Sequence, residues 1–97
     1  MKIHLGKFGT TLTSRQLGKE ALAAFQPLLA EVKQGELIEV DFDGVNTFSP
    51  SWGDEFLTPL EEMYPGKVVL LPTKNLSVKV TLEILETTNG KKFKMEG

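Results

Sequence analysis

The chain has 97 residues, of which 40% are hydrophobic and 25% are charged, as expected for one globular domain with a modest core. It has no cysteine, which excludes disulfides, thiolate zinc sites and cysteine nucleophiles. A net charge of -2 with a single arginine argues against a nucleic-acid binder, and without an apolar run or signal peptide we expect a cytoplasmic protein that does not insert into membranes.

The first third of the chain predicts a short strand followed by a long helix. Ile3 and Leu5 alternate with a polar residue, as in a strand. Thr13 and Gln16 have the spacing of a capping box, which predicts the start of the helix. Pro27 removes one main-chain hydrogen bond, so we expect a kink or break near Ala23. The predicted apolar face of the helix consists of Leu17, Ala21, Ala24 and Leu28, widened by Leu22, Phe25, Leu29 and Val32.

The middle third predicts a second strand and a second helix. Residues 37–42 alternate between apolar and acidic side chains, as in a strand with one face on the core. The helix that follows has two candidate starts: Ser49 as the cap with Pro50 at the first position, or Ser51 as the cap with Asp54 at the third. Its predicted apolar stripe consists of Trp52, Phe56, Leu60 and Met63.

The last third leaves one ambiguity. Residues 68–71 form a continuous apolar run, which is typical of a central strand covered on both faces. Residues 75–88 fit a helix with Leu76, Val80 and Ile84 on one stripe, but they also alternate as a strand would. Asn89-Gly90 accordingly suits either a helix end or a hairpin turn. The β-α-β-α-β order favours the helix.

Together these patterns predict a single α/β domain over residues 1–97, with a mixed sheet of about four strands and about three helices.

The most informative segment for function is the serine-bearing loop between the second strand and the second helix. The start of a helix presents free amide groups and the positive end of the helix dipole. A serine there is open to a kinase, and an added phosphate would be well placed. The alternative interpretation is that Ser49 or Ser51 only caps the helix.

Two stretches of this segment carry a family resemblance. Asp-Phe-Asp-Gly-Val at 41–45 and Phe-Ser-Pro-Ser-Trp-Gly-Asp-Glu-Phe at 48–56 resemble the bacterial STAS-like family of unknown function. Residues 9–15 and Asn-Leu-Ser at 75–77 look like the segments with which that family begins its first and last helices. The resemblance implies a STAS-type fold and a distant kinship with anti-sigma-factor antagonists.

In those antagonists, a serine at this helix start is phosphorylated by a serine kinase of the histidine-kinase-like ATPase class, and phosphorylation breaks the complex. Carried over by position, that serine falls on Pro50, so Ser51 and Ser49 are the candidate acceptors. The resemblance therefore implies a non-catalytic regulatory module that binds a partner protein. Its expected contact residues are Ser49, Ser51, Trp52, Asp54 and Glu55.

Trp52 and Arg15 each allow two interpretations. Trp52 either forms an exposed aromatic anchor for the partner or packs on the sheet. Arg15 either holds an anion or pairs with Asp54 or Glu55.

The alternative to a binding module is a small anion- or metal-binding protein or an enzyme. Such a site would use Asp41, Asp54, Glu55 and Arg15. No nucleophile–base pair and no metal-ligand spacing support it, so we expect no cofactor and no metal. A third hypothesis is self-association, either through an exposed strand edge near Ile3 and Leu5 or through an apolar face left open by a kink in the first helix, and the sequence leaves the oligomeric state open.

Overall fold

Three helices alternate with the strands of a parallel sheet in the computed structural model, which describes residues 1–96. This arrangement confirms the predicted α/β class and the predicted numbers of helices and sheet strands. The radius of gyration is 12.2 Å, close to the ~13 Å expected for one compact domain of this size. The helices are α1 (Arg15–Leu29), α2 (Pro50–Met63) and α3 (Leu76–Asn89). The strands are β1 (Lys2–His4), β2 (Thr11–Leu12), β3 (Ile38–Asp41), β4 (Thr47–Phe48), β5 (Val68–Leu70) and β6 (Lys94–Met95), and a 3₁₀ turn spans Leu5–Phe8.

The main sheet has the strand order β1-β3-β5-β6, and its three neighbouring pairs are all parallel. The prediction of a mixed sheet is wrong on this point. A helix connects each strand to the next and brings the chain back to the end of the sheet where the previous strand began, so neighbouring strands run in the same direction. Because the strand order follows the chain order, right-handed crossovers place the three helices on one face. Strands β2 and β4 form a separate parallel pair.

The two faces of the main sheet differ in polarity. Ile3, Val40 and Leu70 are neighbours in one row across the sheet, and all three are buried. The next row, on the opposite face, begins with the exposed Lys2 and the half-buried Glu39. The helices therefore pack on the apolar face.

Strand β5 is buried along its length, as predicted for a central strand. The row of β5 on the polar face continues to the exposed Lys94 of β6. Val69 is buried in this row between Glu39 and Lys94.

Helix α1 begins one residue later than the capping box predicted. The cap is Ser14, whose hydroxyl accepts a hydrogen bond from the amide of Leu17 at 3.2 Å. The helix also continues through Pro27, so the expected break near Ala23 does not occur. Pro27 lies in the last turn, where the loss of one main-chain hydrogen bond leaves little helix to disrupt.

The buried face of α1 matches the predicted face only in part. Ala21, Leu22 and Leu29 are buried as predicted, but Leu17 and Leu28 are 58% and 49% exposed, and the buried face includes Gly18. The reason is the close approach of α1 to α2: a Cβ atom at Gly18 would lie 2.6 Å from the carbonyl oxygen of Trp52. The periodicity of apolar residues does not reveal a glycine at a helix–helix contact.

Helix α2 follows the first of the two predicted starts, with Ser49 as the cap and Pro50 in the first turn. Trp52, Phe56 and Leu60 are buried as expected, but Met63, at the end of the stripe, is exposed.

Residues 75–88 are helical, so α3 resolves the ambiguity in favour of the helix. Asn75 caps its start, and Gly90 ends it with a left-handed backbone at φ 69°. The predicted stripe lies outward, with Leu76 74% exposed and Val80 and Ile84 also exposed. The buried residues of α3 are Val78, Thr81, Leu82 and Leu85.

Within residues 1–96, no helix is long and apolar enough to cross a membrane.

Candidate functional site

Ser49 joins the start of α2 to the segment before α1. Its hydroxyl oxygen accepts a hydrogen bond from the amide of Trp52 at 3.4 Å and donates one to the carbonyl oxygen of Thr13 at 2.9 Å. One hydroxyl therefore caps α2 and also holds the segment that precedes α1. This bond brings the first turn of α1 beside the first turn of α2.

Arg15 forms ion pairs with both predicted acidic residues of α2. Its Nη1 atom lies 2.8 Å from Oε1 of Glu55 and 3.4 Å from Oδ2 of Asp54. The hydrogen bonds to Glu55 and then to Asp54 raise the pKa of Arg15 above its usual value. The prediction that Arg15 pairs with these carboxylates is thus confirmed, although one nitrogen serves both of them.

This cluster remains at the surface. The side chain of Arg15 is 57% exposed, and those of Asp54 and Glu55 are 36% and 28% exposed. Exposed ion pairs of this kind contribute little to stability, so we expect the cluster to add little to the free energy of unfolding.

Two further polar residues extend the cluster, Thr58 along α2 and Asn89 at the end of α3. Thr58 donates a hydrogen bond to Oδ1 of Asp54 at 3.0 Å, and the side-chain amide of Asn89 donates one to the Thr58 hydroxyl at 3.2 Å. Neither residue was predicted from the sequence. The four-residue spacing of Asp54 and Thr58 is a usable signal on a helix, whereas nothing local points to Asn89.

Ser51 is half-buried in the first turn of α2, and its side chain makes no hydrogen bond in the part of the chain that the structure describes. The hydroxyl of Ser49, in contrast, is engaged on both sides. Of the two predicted phosphate acceptors, Ser51 is therefore the one with an available hydroxyl.

Trp52 lies in the core and is only 1% exposed. Its ring stacks on Phe56 at a centroid distance of 5.0 Å, with Phe48 and Phe8 at 5.8 Å and 6.0 Å. The expectation that Trp52 forms an exposed anchor is therefore corrected, because its stripe faces the sheet and no ring surface remains for a partner. Its role is to give the start of α2 a rigid base.

Asp41 lies on the polar face of the sheet and does not join Asp54 and Glu55. One of its oxygens is 3.2 Å from Nδ1 of His4, and the other accepts a hydrogen bond from the amide of Asp43 at 3.1 Å. In residues 1–96, no group of three or more histidine or acidic residues could hold a metal ion. The cation site built on Asp41, Asp54 and Glu55 thus has no support in the geometry.

Comparison of the chain with protein-family models, with curated proteins and with solved structures found no match.

Proposed function

We propose that this protein is a non-catalytic regulatory module that binds a partner protein through the start of α2. The α2-start surface consists of Arg15, Ser49, Ser51, Asp54 and Glu55. The observation that carries the proposal is the exposed bridge from Arg15 to both carboxylates, which presents fixed charges at one place.

The support beneath this surface favours recognition of a preformed shape. The buried ring of Trp52 stacks on Phe56, and Ser49 fixes the adjoining segment. Charged groups held on a rigid element lose little freedom on binding, and their arrangement selects a complementary partner. The excess of acidic over basic charge in the cluster favours a basic patch on that partner.

The family resemblance supplies the class of partner. We propose a histidine-kinase-like ATPase or another serine kinase, in a cytoplasmic setting, with no nucleic acid involved. In this hypothesis the kinase both binds the module and modifies it.

Ser51 is the proposed phosphate acceptor. A phosphate adds a charge of about -1.5 to -2, and the positive end of the helix dipole favours it there. Asp54 and Glu55 oppose it, because they lie one turn further along the same helix. We expect the phosphate to draw Arg15 away from Glu55 and thereby to weaken partner binding.

The test is a pull-down of the tagged protein from the lysate of its native host, with and without ATP. We compare wild type with Asp54→Lys/Glu55→Lys and with the control Glu62→Lys/Glu83→Lys, which changes charge equally at exposed positions elsewhere on α2 and α3. The expected result is one partner retained by wild type and control but lost by the first variant. Equal capture by both variants would exclude the α2-start surface.

The phosphate is tested separately by intact mass and by site mapping of the recovered protein. A mass gain of one phosphate at Ser51, absent in Ser51→Ala, supports the switch. Unchanged partner binding by Ser51→Asp, together with no mass gain after ATP treatment, would remove the switch and leave the binding module.

A further inference from the structure

The outer edge of β1 carries main-chain groups that face away from the sheet. The carbonyl oxygen of Met1 accepts a hydrogen bond from the amide of Glu39 at 2.8 Å. Alternate residues of a parallel strand bond to the same neighbour, so the main-chain groups of Lys2 and His4 point outward. In the described sheet, β1 is the edge strand and has β3 as its neighbour, so the amides of Lys2 and His4 and the carbonyl of Lys2 face no other strand, whereas the carbonyl of His4 is at the start of the 3₁₀ turn. Such an edge is a template for one more strand.

An apolar groove lies directly beside this edge, between β1, the 3₁₀ turn and α1. Its volume is about 400 Å³, and its apolar lining includes Phe8, Ala24, Phe25 and Leu28. The rings of Phe8 and Phe25 pack edge to face in this lining, with their centroids 6.3 Å apart. Leu28 remains 49% exposed in the wall. Apolar surface of this kind, beside a free strand edge, accepts the side chains of an added strand.

The rim of the groove is basic. Lys2, His4 and Lys7 line it, and neither lysine lies within ion-pair distance of a carboxylate among residues 1–96. His4 pairs with Asp41. This charge also disfavours a second copy as the occupant, because pairing of two β1 strands would bring the lysines of the two rims close together.

We propose that the β1 groove, formed by the outer edge of β1 and the pocket against α1, binds an extended peptide with alternating acidic and apolar residues. Side chains alternate between the two faces of a strand. The apolar residues of the peptide enter between Phe25 and Leu28, and its acidic residues lie beside Lys2 and Lys7. The proposal is independent of the α2-start surface, so either one stands without the other.

The first test measures fluorescence anisotropy with a labelled, end-capped six-residue peptide of alternating aspartate and leucine. We expect saturable binding, and binding weaker by about tenfold or more for the lysine–leucine counterpart and for a peptide with methylated main-chain amides. Absence of saturable binding, or equal binding of all three peptides, would overturn the proposal.

Matched variants locate the contact on the protein. Leu28→Ser and Lys7→Glu should each weaken binding by about fivefold or more, by loss of an apolar contact and by charge reversal. The controls are Leu17→Ser, at another exposed leucine of α1, and Lys79→Glu, at an exposed lysine of α3, and neither should change the affinity. Equal weakening by the controls would contradict the location.

Amide hydrogen exchange distinguishes strand addition from simple adsorption. The amides of Lys2 and His4 should gain protection when peptide binds, whereas that of Ile3, which faces β3, should not change. Binding without this protection contradicts the strand geometry. Protection of both amides in the free protein, with a dimer in sedimentation, would instead make a second copy the occupant.

Discussion

The starts of α2 and α3 have similar sequences but use their polar side chains differently. Each begins with a capping residue, and each has a serine two positions further on: Ser49 and Ser51 in one, Asn75 and Ser77 in the other. At α3 all of these groups bond to the protein itself. At α2 the second serine and the charged residues stay at the surface.

The start of α3 is fastened to the loop before α2. The side-chain amide of Asn75 donates to the carbonyl oxygens of Val45 and Asn46 at 2.8 Å and 2.9 Å, while its oxygen caps the helix at Val78. Ser77 accepts from the amide of Phe48 at 2.9 Å and donates to its carbonyl. These bonds satisfy main-chain groups of the segment before α2, so their role is structural.

The start of α2 has the same local chemistry with a different result. The carboxylates of Asp54 and Glu55 pair with Arg15 of α1, Asp54 also accepts a hydrogen bond from Thr58, and the side chain of Ser51 makes no hydrogen bond within residues 1–96. The two helix starts therefore differ in how many of their polar side chains bond to the main chain of the protein. Four predictions test this difference.

The largest effect is expected at the contact that brings the two charged turns together. In Gly18→Ala the new Cβ would meet the carbonyl of Trp52, so α1 must move away from α2 and carry Arg15 from Glu55. We expect a loss of about 2–3 kcal/mol in the free energy of unfolding, measured in urea. Helix propensity alone would give the opposite sign, a gain of about 1 kcal/mol, and such a gain would contradict the close contact.

The next effect is expected at the cap of α3. Asn75→Ala removes the cap and both amide donors, and should cost roughly 2–3 kcal/mol in urea unfolding. Asn75→Asp keeps the capping oxygen but loses the donors, so its stability should lie between those of wild type and the alanine variant. Equal stability of the aspartate variant and wild type would show that the bonds to Val45 and Asn46 contribute nothing.

Much of the fold was predictable because it depends on local patterns. The alternation in β3, the apolar run of β5 and the proline after the cap of α2 each determine one element, and the order of elements determines the class. The sides of α1 and α3 that face the core were less predictable. In α1 the contact depends on Gly18, and in α3 on Thr81, whose hydroxyl donates to the carbonyl of Phe48. Neither residue type signals burial.

The candidate site was predictable in part, for the same reason. Asp54, Glu55 and Ser49 are close in sequence, and the helix start places them together. Arg15 joins them only because α1 and α2 pack closely, so its pairing was one of two alternatives. The burial of Trp52 agrees with the predicted apolar stripe of α2, which it shares with Phe56 and Leu60, and excludes the alternative of an exposed anchor.

A smaller effect distinguishes the two serines of α2. Ser49→Ala removes the cap and the bond to Thr13, so we expect a loss of about 1 kcal/mol in the free energy of unfolding. Ser51→Ala removes no hydrogen bond, and its stability should stay within about 0.5 kcal/mol of wild type. A larger loss for Ser51→Ala would show that this hydroxyl is structural, which would weaken its assignment as the phosphate acceptor.

The smallest effect on stability, and the most informative for function, is expected for Arg15→Gln. Its ion pairs are exposed and screened by salt, so the urea midpoint should change less than in Ser49→Ala. The difference in urea midpoint between Arg15→Gln and wild type should be smaller at high salt than at low salt. Capture of the partner should still fall, although less than in the Asp54→Lys/Glu55→Lys variant, because the carboxylates of Asp54 and Glu55 keep their charge but are no longer held in a fixed arrangement. Arg15→Gln could instead destabilise the protein as much as Ser49→Ala and leave capture unchanged. The ion pairs of Arg15 would then be structural, and the start of α2 would resemble the start of α3 in function as well as in sequence.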